Sequence, residues 1–415
     1  MPCRPMIRKP ITDACWRYIM KFTFVSNYIN HHQIPVSSVL YEKLGGDYHF
    51  VQTQPMEAER QEMGWAVEEH RLPYLKCWYE EPEACRKLVL ESDVVVFGGV
   101  EEERYIEERL QSGKPVIRYS ERLYREGQWK AVSPRGLLKK YKDHTRYRNR
   151  DVYLLCSGAY VASDFHIVCS YPQKMFKWGY FTELKTYDIE TLLAEKPGAR
   201  GEPVEILFAG RFLPLKHPEY AIRLAKALKQ EEIPFHLTMA GGGELEEKLR
   251  AAVEALDLKE QVTFTGYQSP AGVRACMERA DMFLMTSNHL EGWGAVLNEA
   301  MNSGCAVIAD ASIGAVPFLL LHEKNGMVYQ DGNPEEFLKY GIQLAREAHL
   351  RRHLGRNAYD TIVSLWNPGY AAESLLAFAE GILQGQIVVS PEGPLSRAEV
   401  ISPGNGYAYT RRCER

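Results

Sequence analysis

Short apolar runs recur along this 415-residue chain, each ending in small or polar residues and each followed by a stretch with helical spacing. FTFVS (22–26), DVVVFGG (93–99), KPVIRYS (114–120) and DVYLLCSGAY (151–160) form one series. VEILFAG (204–210), HLTMAG (236–241), VTFTG (262–266), DMFLMTS (281–287) and CAVIAD (305–310) form a second. Strands that alternate with helices and are apolar on both faces predict parallel sheets covered on either side, an α/β doubly wound architecture. Between the two series, residues 183–203 (ELKTYDIETLLAEKPGARGEP) lose the apolar runs and gather Pro, Gly and charge, which predicts an interdomain linker. Residues 20–182 and 204–369 are then expected to form two Rossmann-like domains.

Within the first series, a helix is expected over Pro35–Leu44, stopped by Gly45-Gly46, a strand near Tyr48–Gln52, and DFHIVCSYP continues the alternation. PQKMFKWGYF (172–181) is expected to pack at the hinge. Residues 334–366 read as helical, and 370–385 as a further helix. The Pro/Gly-rich end of the chain, 386–415, reads as a disordered tail, and residues 1–19, which lack the apolar core of a secretory signal, as a disordered extension.

Composition narrows the function classes. The net charge of −4 and pI of 6.3 exclude a chain-wide nucleic-acid role. Nine cysteines without a Cys-x-x-Cys pair read as reduced thiols rather than a zinc site. No apolar run reaches the ~18 residues that span a bilayer, so a cytoplasmic protein is expected. The absence of a Gly-x-Gly-x-x-Gly fingerprint argues against a dehydrogenase.

The densest chemistry lies in DMFLMTSNHLEGWGAVLNEAMNSGCAVIAD, residues 281–310. A strand is expected to end at Thr286-Ser287, a loop to carry Glu291, Gly292, Trp293 and Gly294, and a helix to carry Ala295 and Glu299. Ligands in such folds sit at the carboxyl edge of the strands. Glu291 stands beside the free N–H groups at the start of the helix, and Glu299 lies further along it at ~1.5 Å per residue. One carboxylate near a phosphate and another near a diol fit a nucleotide sugar; two glutamates on a solvated helix face are the plainer alternative.

EGWGAVLNEAMNSGCAVIA resembles the signature of the family 4 retaining glycosyltransferases of GT-B fold, with Glu291 and Glu299 matching their Glu-x7-Glu pair. Upstream, FAGRFLPLKHPEYAIRLAKAL is similar to the family's Gly-Arg…Lys element, matched by Gly210, Arg211 and Lys216. The resemblance is specific over residues 203–367 and loose before them. It implies that Arg211 and Lys216 hold the diphosphate of a nucleoside-diphosphate sugar, Glu291 orients the donor sugar and Glu299 the ribose. Gly266 and Tyr267 stand at the strand end that faces the base, and Gly292 to Ala295 complete the donor contacts. Glu291, Arg211 and Lys216 are the catalytic candidates. Retention of configuration, a saccharide or lipid-linked acceptor, and independence of metal follow from the same resemblance. The chain also lacks any Asp-x-Asp pair, the usual metal–diphosphate element of the other main glycosyltransferase fold.

In the first domain SNYINHHQIPVSS enters the first helix, and Asn27, His31 and His32 are candidates for the acceptor side of the cleft or, alternatively, for capping the helix. Where relatives often carry a His, at the strand end after KPVIR, this chain has Ser120-Glu121, so that role does not carry over, and Glu121 is a candidate cleft residue. The segment 135–150, RGLLKKYKDHTRYRNR, carries seven Lys/Arg against one Asp. Interleaved Leu and Tyr make it a candidate contact with anionic lipid headgroups, or a solvated basic helix. A nucleotide-sugar epimerase and a catalytically degenerate GT-B subunit that binds a partner transferase are the competing readings.

Overall fold

The computed structural model describes residues 20–57 and 71–412. The extension expected over 1–19 and the last three residues of the tail lie outside them. The first sheet consists of β1 (Phe22–Ser26), β2 (Tyr48–Gln52), β3 (Leu75–Cys77), β4 (Val94–Gly98), β5 (Val116–Ser120), β6 (Val152–Ser157) and β7 (Met175–Trp178). Their spatial order is β3-β2-β1-β4-β5-β6-β7, and every pairing is parallel. The second sheet holds β8 (Val204–Ala209), β9 (Phe235–Ala240), β10 (Val262–Gly266), β11 (Met282–Met285), β12 (Ala306–Asp310) and β13 (Met327–Tyr329), in the order β10-β9-β8-β11-β12-β13. It is parallel throughout as well.

The strands follow from their sequence. Phe24 pairs with Phe50 on one side and Val96 on the other, and all three are buried, as an all-apolar run flanked by helices requires. In each sheet the first strand lies between neighbours reached by connections of opposite direction, β1 between β2 and β4, β8 between β9 and β11. A crevice opens at the carboxyl ends of such strands, and that is where these folds bind ligands.

The interdomain linker is not a free connector. It carries the helix Ile189–Glu195, capped by the Asp188 side chain accepting from the Thr191 N–H, and Leu193 and Lys196 are buried. The Lys196 ammonium donates to the carbonyls of Met277 (3.2 Å), Glu278 (3.0 Å) and Ala280 (2.6 Å) and so fastens the segment to the second domain. The helix Pro368–Leu383 crosses to the first domain, where Phe378 packs 4.6 Å from Phe176 and 5.4 Å from Tyr153, and Glu373 pairs with Lys43 at 2.8 Å.

Two expectations change. DFHIVCSYP supplies the end of the helix Val161–Ile167 and a turn with Cys169 and Tyr171 at positive φ, as is the following Gln173, while the strand falls in MFKW, within the segment expected to pack as a hinge. The tail is folded rather than disordered. Leu395 and Ser396 lie along β7 in antiparallel fashion, with Lys177 N–H donating to Ser396 O (2.8 Å), Leu395 N–H to Lys177 O (2.9 Å) and Ala398 N–H to Met175 O (3.0 Å). This covers the open edge of β7, whose unpaired backbone groups otherwise face solvent. Burial of Leu395 contributes about 1.5–3 kcal/mol. The tail then reaches the second domain, where Arg411 donates to Val328 O (2.8 Å) and Tyr340 Oη (3.1 Å), and Thr410 O accepts from His322 N–H (2.9 Å).

Candidate functional site

β8 ends at Ala209, and Gly210-Arg211 leave the sheet toward the cleft. Gly241, at the end of β9 with φ +138°, lies so close that a Cβ there would collide with the Gly210 carbonyl; only glycine permits this approach. The chain then makes a tight turn, Pro214–Lys216, ending at His217 in the left-handed region. The Thr286 hydroxyl, just past β11, donates to the carbonyls of Lys216 (2.7 Å) and His217 (3.1 Å), and Asn288 N–H donates to Leu215 O (2.9 Å). These bonds dock the turn on the loop that carries Glu291. As a result Lys216 and Glu291 form an ion pair, with side chains only 18% and 15% exposed. Arg211 is exposed and has no side-chain partner among the described residues.

The loop after Glu291 is compact. The N–H groups of Gly292, Trp293, Gly294 and Ala295 have no acceptor among the described residues, while the carbonyls of Gly294 and Ala295 already accept from Leu297 and Asn298. Glu299, in the helix Val296–Asn302, is largely desolvated, and burial raises its carboxyl above the ordinary range against the opposing field of Arg274. Arg274 is buried and donates to Asn302 Oδ1 (2.9 Å) and Glu183 O (3.0 Å). At the other rim Gly266 has φ +67° with open space around it, and Tyr267, 61% exposed, donates its hydroxyl to Gly242 O at 3.1 Å.

Trp293 is not a cleft residue. Its ring is 1% exposed, its Nε1–H donates to Asn298 Oδ1 (2.9 Å), and it packs among Tyr180, Phe318 and Trp366. A Cβ on Gly179 would collide with it. A large apolar ring between two domains finds more contact in the seam than at the edge of a polar cleft, and there it holds the domains together.

From the first domain, Glu121 reaches across to the same loop. Its carboxylate lies 2.7 Å from the position a Cβ of Gly292 would occupy. It accepts from the Tyr180 hydroxyl and pairs with Arg125. Tyr180 in turn stacks on His32, with centroids 5.5 Å apart and 8° between planes, and His31 lies against His32 at 3.8 Å. Asn27 is turned to its own strand end, where Oδ1 accepts from Ser26 Oγ at 3.2 Å. The two domains meet at backbone distance here, since Ala159 N–H donates to Gly314 O at 2.8 Å and Gly158 lies beside Gly292 and Gly314.

Arg211, Lys216, Glu291 and Glu299 thus come from the second domain, and Glu121, His32 and Tyr180 face them from the first. Tyr180 and Arg125 are additions to the residues expected from sequence. Arg125 had a local signal, four residues after Glu121; Tyr180 sat in a segment read as hinge packing. Next to the turn after β8, burial pushes the Asp310 carboxyl up to about 7 despite hydrogen bonds from Ser312 N–H (2.8 Å) and Oγ–H (2.7 Å), with Asp331 adding to the shift.

Comparison with known proteins agrees with this layout. Residues 190–361 match the family model described as Glycosyl transferases group 1. Similar curated proteins include the amylovoran biosynthesis glycosyltransferase AmsK of Erwinia amylovora, 28% identical over 150 residues, covering 35% of this chain and 37% of that protein. The putative colanic acid biosynthesis glycosyltransferase WcaL of Escherichia coli K12 is 29% identical over 140 residues, covering 32% and 34%. The chain therefore matches little more than a third of the length of these relatives. Among solved structures, Anabaena Alr3699/HepE in complex with UDP superposes with a TM-score of 0.62 at 14% identity, over 88% of this chain and all of that one. WaaG, a glycosyltransferase involved in lipopolysaccharide biosynthesis, does so with 0.59 at 14%, over 87% and 100%. Two facing parallel sheets with a crossing helix, shared with these structures, are the GT-B fold, and residues 190–361 of this chain are a glycosyl transferases group 1 domain.

Proposed function

We propose that this chain transfers a glycosyl group from a nucleoside-diphosphate sugar to a hydroxyl of a saccharide or lipid-linked acceptor, in the assembly of a surface polysaccharide or glycolipid. The observation that carries the reading is the set Arg211, Lys216 and Glu291 past the carboxyl ends of β8 and β11, with Glu299 in the helix that follows, one cation free among the described residues and the other held by a carboxylate. In the reaction the bond from the anomeric carbon to the diphosphate oxygen breaks, its electron pair leaves on the diphosphate, and the acceptor oxygen forms the new bond. The acceptor's proton departs with the diphosphate. Negative charge grows on the leaving group, and Arg211 and Lys216 stabilise it without a metal ion, aided by the unpartnered N–H groups of Gly292 to Ala295. Binding of the diphosphate draws Lys216 away from Glu291, which then accepts hydrogen bonds from the donor sugar. Glu299 accepts from the ribose hydroxyls, and its raised affinity for a proton is relieved by those donors. Retention of configuration is part of the proposal and rests on the resemblance of the Glu-x7-Glu element.

The relatives named above for amylovoran and colanic acid biosynthesis, and the UDP held by HepE, support this reading. Calorimetric titration with UDP, GDP, ADP, dTDP and CMP, with and without EDTA, tests it. Binding of one diphosphate that is unaffected by EDTA and weakened by Glu299→Ala supports it, and binding of none overturns it. Binding without transfer by the intact four-residue set leads instead to a subunit that serves a partner transferase.

We also propose peripheral contact with anionic membrane, on a surface shifted from the one expected. Arg150 is tied to Leu110 O (2.7 Å) and Arg146 lies 3.7 Å from Glu107, so the end of the segment 135–150 is engaged within the protein. The free surface is instead 129–142. Trp129 is 70% and Val132 77% exposed, and in the helix Pro134–Asp143 no residue is buried. There Leu137, Leu138 and Tyr141 form one stripe and Arg135, Lys139 and Lys142, unpartnered among the described residues, form the next. An apolar stripe beside a basic one suits a headgroup interface. No described helix is long and apolar enough to cross a membrane.

A further inference from the structure

A cavity of about 520 Å³ opens between the two domains and the tail, and none of Arg211, Lys216, Glu291 and Glu299 lines it. Its volume is in the range of sites that hold small organic ligands. The loop 122–128 after β5 forms one wall, His289, Ser312 and Asp331 at the ends of β11, β12 and β13 form the opposite one, and the tail closes it with Gly404 and Tyr407.

The charges of this lining decide what fits. Arg122 is buried, held by both oxygens of Asp164 at 3.3 Å and by Tyr124 O at 3.0 Å. Arg125 is paired with Glu121, and Glu126 with Lys130. The first wall is therefore neutralised internally. Across from it Asp331 is exposed and has no partner among the described residues, and its field adds to the upward shift of Asp310. A phosphate or carboxylate placed here would face an uncompensated carboxylate and no free cation of the first wall, an unfavourable contact in a partly enclosed space. A hydroxyl-rich neutral ligand meets the opposite situation. Asp331 accepts from it, and Gln128, whose amide donates to Ser163 Oγ and Asp164 Oδ1 at 2.9 Å each, keeps its carbonyl oxygen unbonded among the described residues. Tyr160 and Tyr407 have their hydroxyls engaged by Ala311 O and Glu336, which leaves their rings as apolar surface. With the Ser312 N–H and Oγ–H both already given to Asp310, the lining offers acceptors and ring surface, and together these describe recognition of a sugar ring through its own hydroxyl donors.

Two continuities tie this cavity to the reaction. Glu121, which holds Arg125 in its wall, also abuts Gly292 in the loop that follows Glu291. Gln128 begins the turn Gln128–Val132, whose Trp129 and Val132 belong to the exposed apolar surface. We propose that this cavity is the acceptor site and that it takes a neutral saccharide, free of phosphate and carboxylate on the rings it holds. The inference rests on the glycosyltransferase reading.

The test uses the full-length chain saturated with the nucleoside diphosphate it prefers. It is titrated with uncharged disaccharides (cellobiose, lactose, maltose, gentiobiose) and with hexose 6-phosphates and glucuronate as charged probes. At least one disaccharide is expected to bind with a Kd on the order of millimolar, and more tightly than any charged probe. A Cβ at Gly404 meets no atom within 4 Å, so Gly404→Trp enters open space at the rim of the cavity and should abolish disaccharide binding. The isosteric Asp331→Asn should weaken it severalfold, and nucleotide affinity should stay unchanged in both. Tighter binding of charged probes, disaccharide binding indifferent to both substitutions, or no disaccharide binding at all overturns the acceptor assignment. Failure of the wild-type chain to bind any nucleoside diphosphate is a separate result, obtained before any saccharide is added, and overturns the donor reading instead.

Discussion

Lys216 and Glu291, 75 residues apart in the chain, form an ion pair at the carboxyl edge of the second sheet, with Arg211 left unpaired among the described residues beside the same strand ends. In the proposed reaction the pair is a resting arrangement that an incoming diphosphate opens. Glu291→Gln removes the competitor for Lys216, so nucleoside diphosphate should bind more tightly, by roughly 3–10-fold, as expected for a partly screened pair. Transfer should nevertheless fall by about 10²-fold or more, since the sugar loses an oriented acceptor as charge develops. Lys216→Met should weaken both. Calorimetry with the diphosphate alone, beside a transfer assay, separates the two effects. Weaker diphosphate binding in Glu291→Gln would show that Glu291 does not restrain Lys216.

Asp310 makes stability depend on pH in a defined direction. Its carboxyl has an ordinary value of 3.8 and stands at about 7 in the folded chain, chiefly through burial. The folded state therefore holds this proton when the unfolded state has lost it, and the contribution of Asp310 to stability declines as pH rises from about 4 to about 7. Asp310→Asn keeps the shape and cannot ionise. It should be stabilising by about 1–2 kcal/mol at pH 5 and by about 4 kcal/mol at pH 8. Chemical denaturation at the two pH values checks this; an equal effect at both would show that Asp310 is ionised throughout.

Much of the fold was legible because it is written in uninterrupted apolar runs. Phe22–Ser26 and Val94–Gly98 are buried along their whole length, and nothing but a covered parallel strand suits such a run. β3 was not legible, because Leu75–Cys77 is short, carries Lys76 and is half-buried at the edge of the sheet. β7 carries Lys177, whose ammonium lies 5.2 Å from the Phe318 ring centroid, so its apolar run is broken in sequence. The tail binds through three backbone bonds to β7 and a few scattered side chains such as Leu395 and Ile401, a pattern with no period to detect. In the site, Glu291 followed from a strand end and a helix start, and Arg211 and Lys216 from the resemblance of FAGRFLPLKH to a Gly-Arg…Lys element. The approach of Glu121 to Gly292 did not, since it depends on how two separately folding sheets face one another.

Trp293 shows the same limit, and its role can be tested directly. Its loop position was readable, but the destination of its ring depends on the missing Cβ of Gly179. Trp293→Ala should cost about 3–5 kcal/mol by leaving a cavity between Tyr180, Phe318 and Trp366. Gly179→Ala should destabilise as well, because its methyl group meets the same ring. The folded fraction of Trp293→Ala should retain its nucleotide affinity, read by calorimetry below the melting transition. Loss of nucleotide binding with an unchanged melting temperature would place the ring in the donor site after all.

The docked tail makes a further mechanical prediction. Leu395 is fully buried against the edge of the first sheet, and Arg411 is bonded to Val328 O in the second. A strap fixed at both ends transmits a fault at either one. Leu395→Ala should lower stability by about 2–4 kcal/mol and loosen residues 403–407 as well, so that amide hydrogen exchange quickens at Thr410, whose N–H donates to Gly406 O at 3.1 Å. Exchange that changes only around Leu395 would show two independent anchors.

The exposed surface of 129–142 argues for a membrane contact by its cost. Trp129, Val132, Leu138 and Tyr141 are more than half exposed, an arrangement that water alone does not favour and that a surface with a partner explains. The stripe Arg135, Lys139, Lys142 adds attraction of about 1 kcal/mol per residue near an anionic leaflet, an attraction that salt screens. Wild-type protein should sediment with vesicles containing phosphatidylserine or phosphatidylglycerol and be released as ionic strength rises. Trp129→Ser with Leu138→Ser should lower that binding at every salt concentration. Arg135→Gln with Lys139→Gln should lower it mainly at low salt, because only the charged part of the attraction is screened. If both double variants sediment as the wild type does, the apolar and basic stripes serve some other partner.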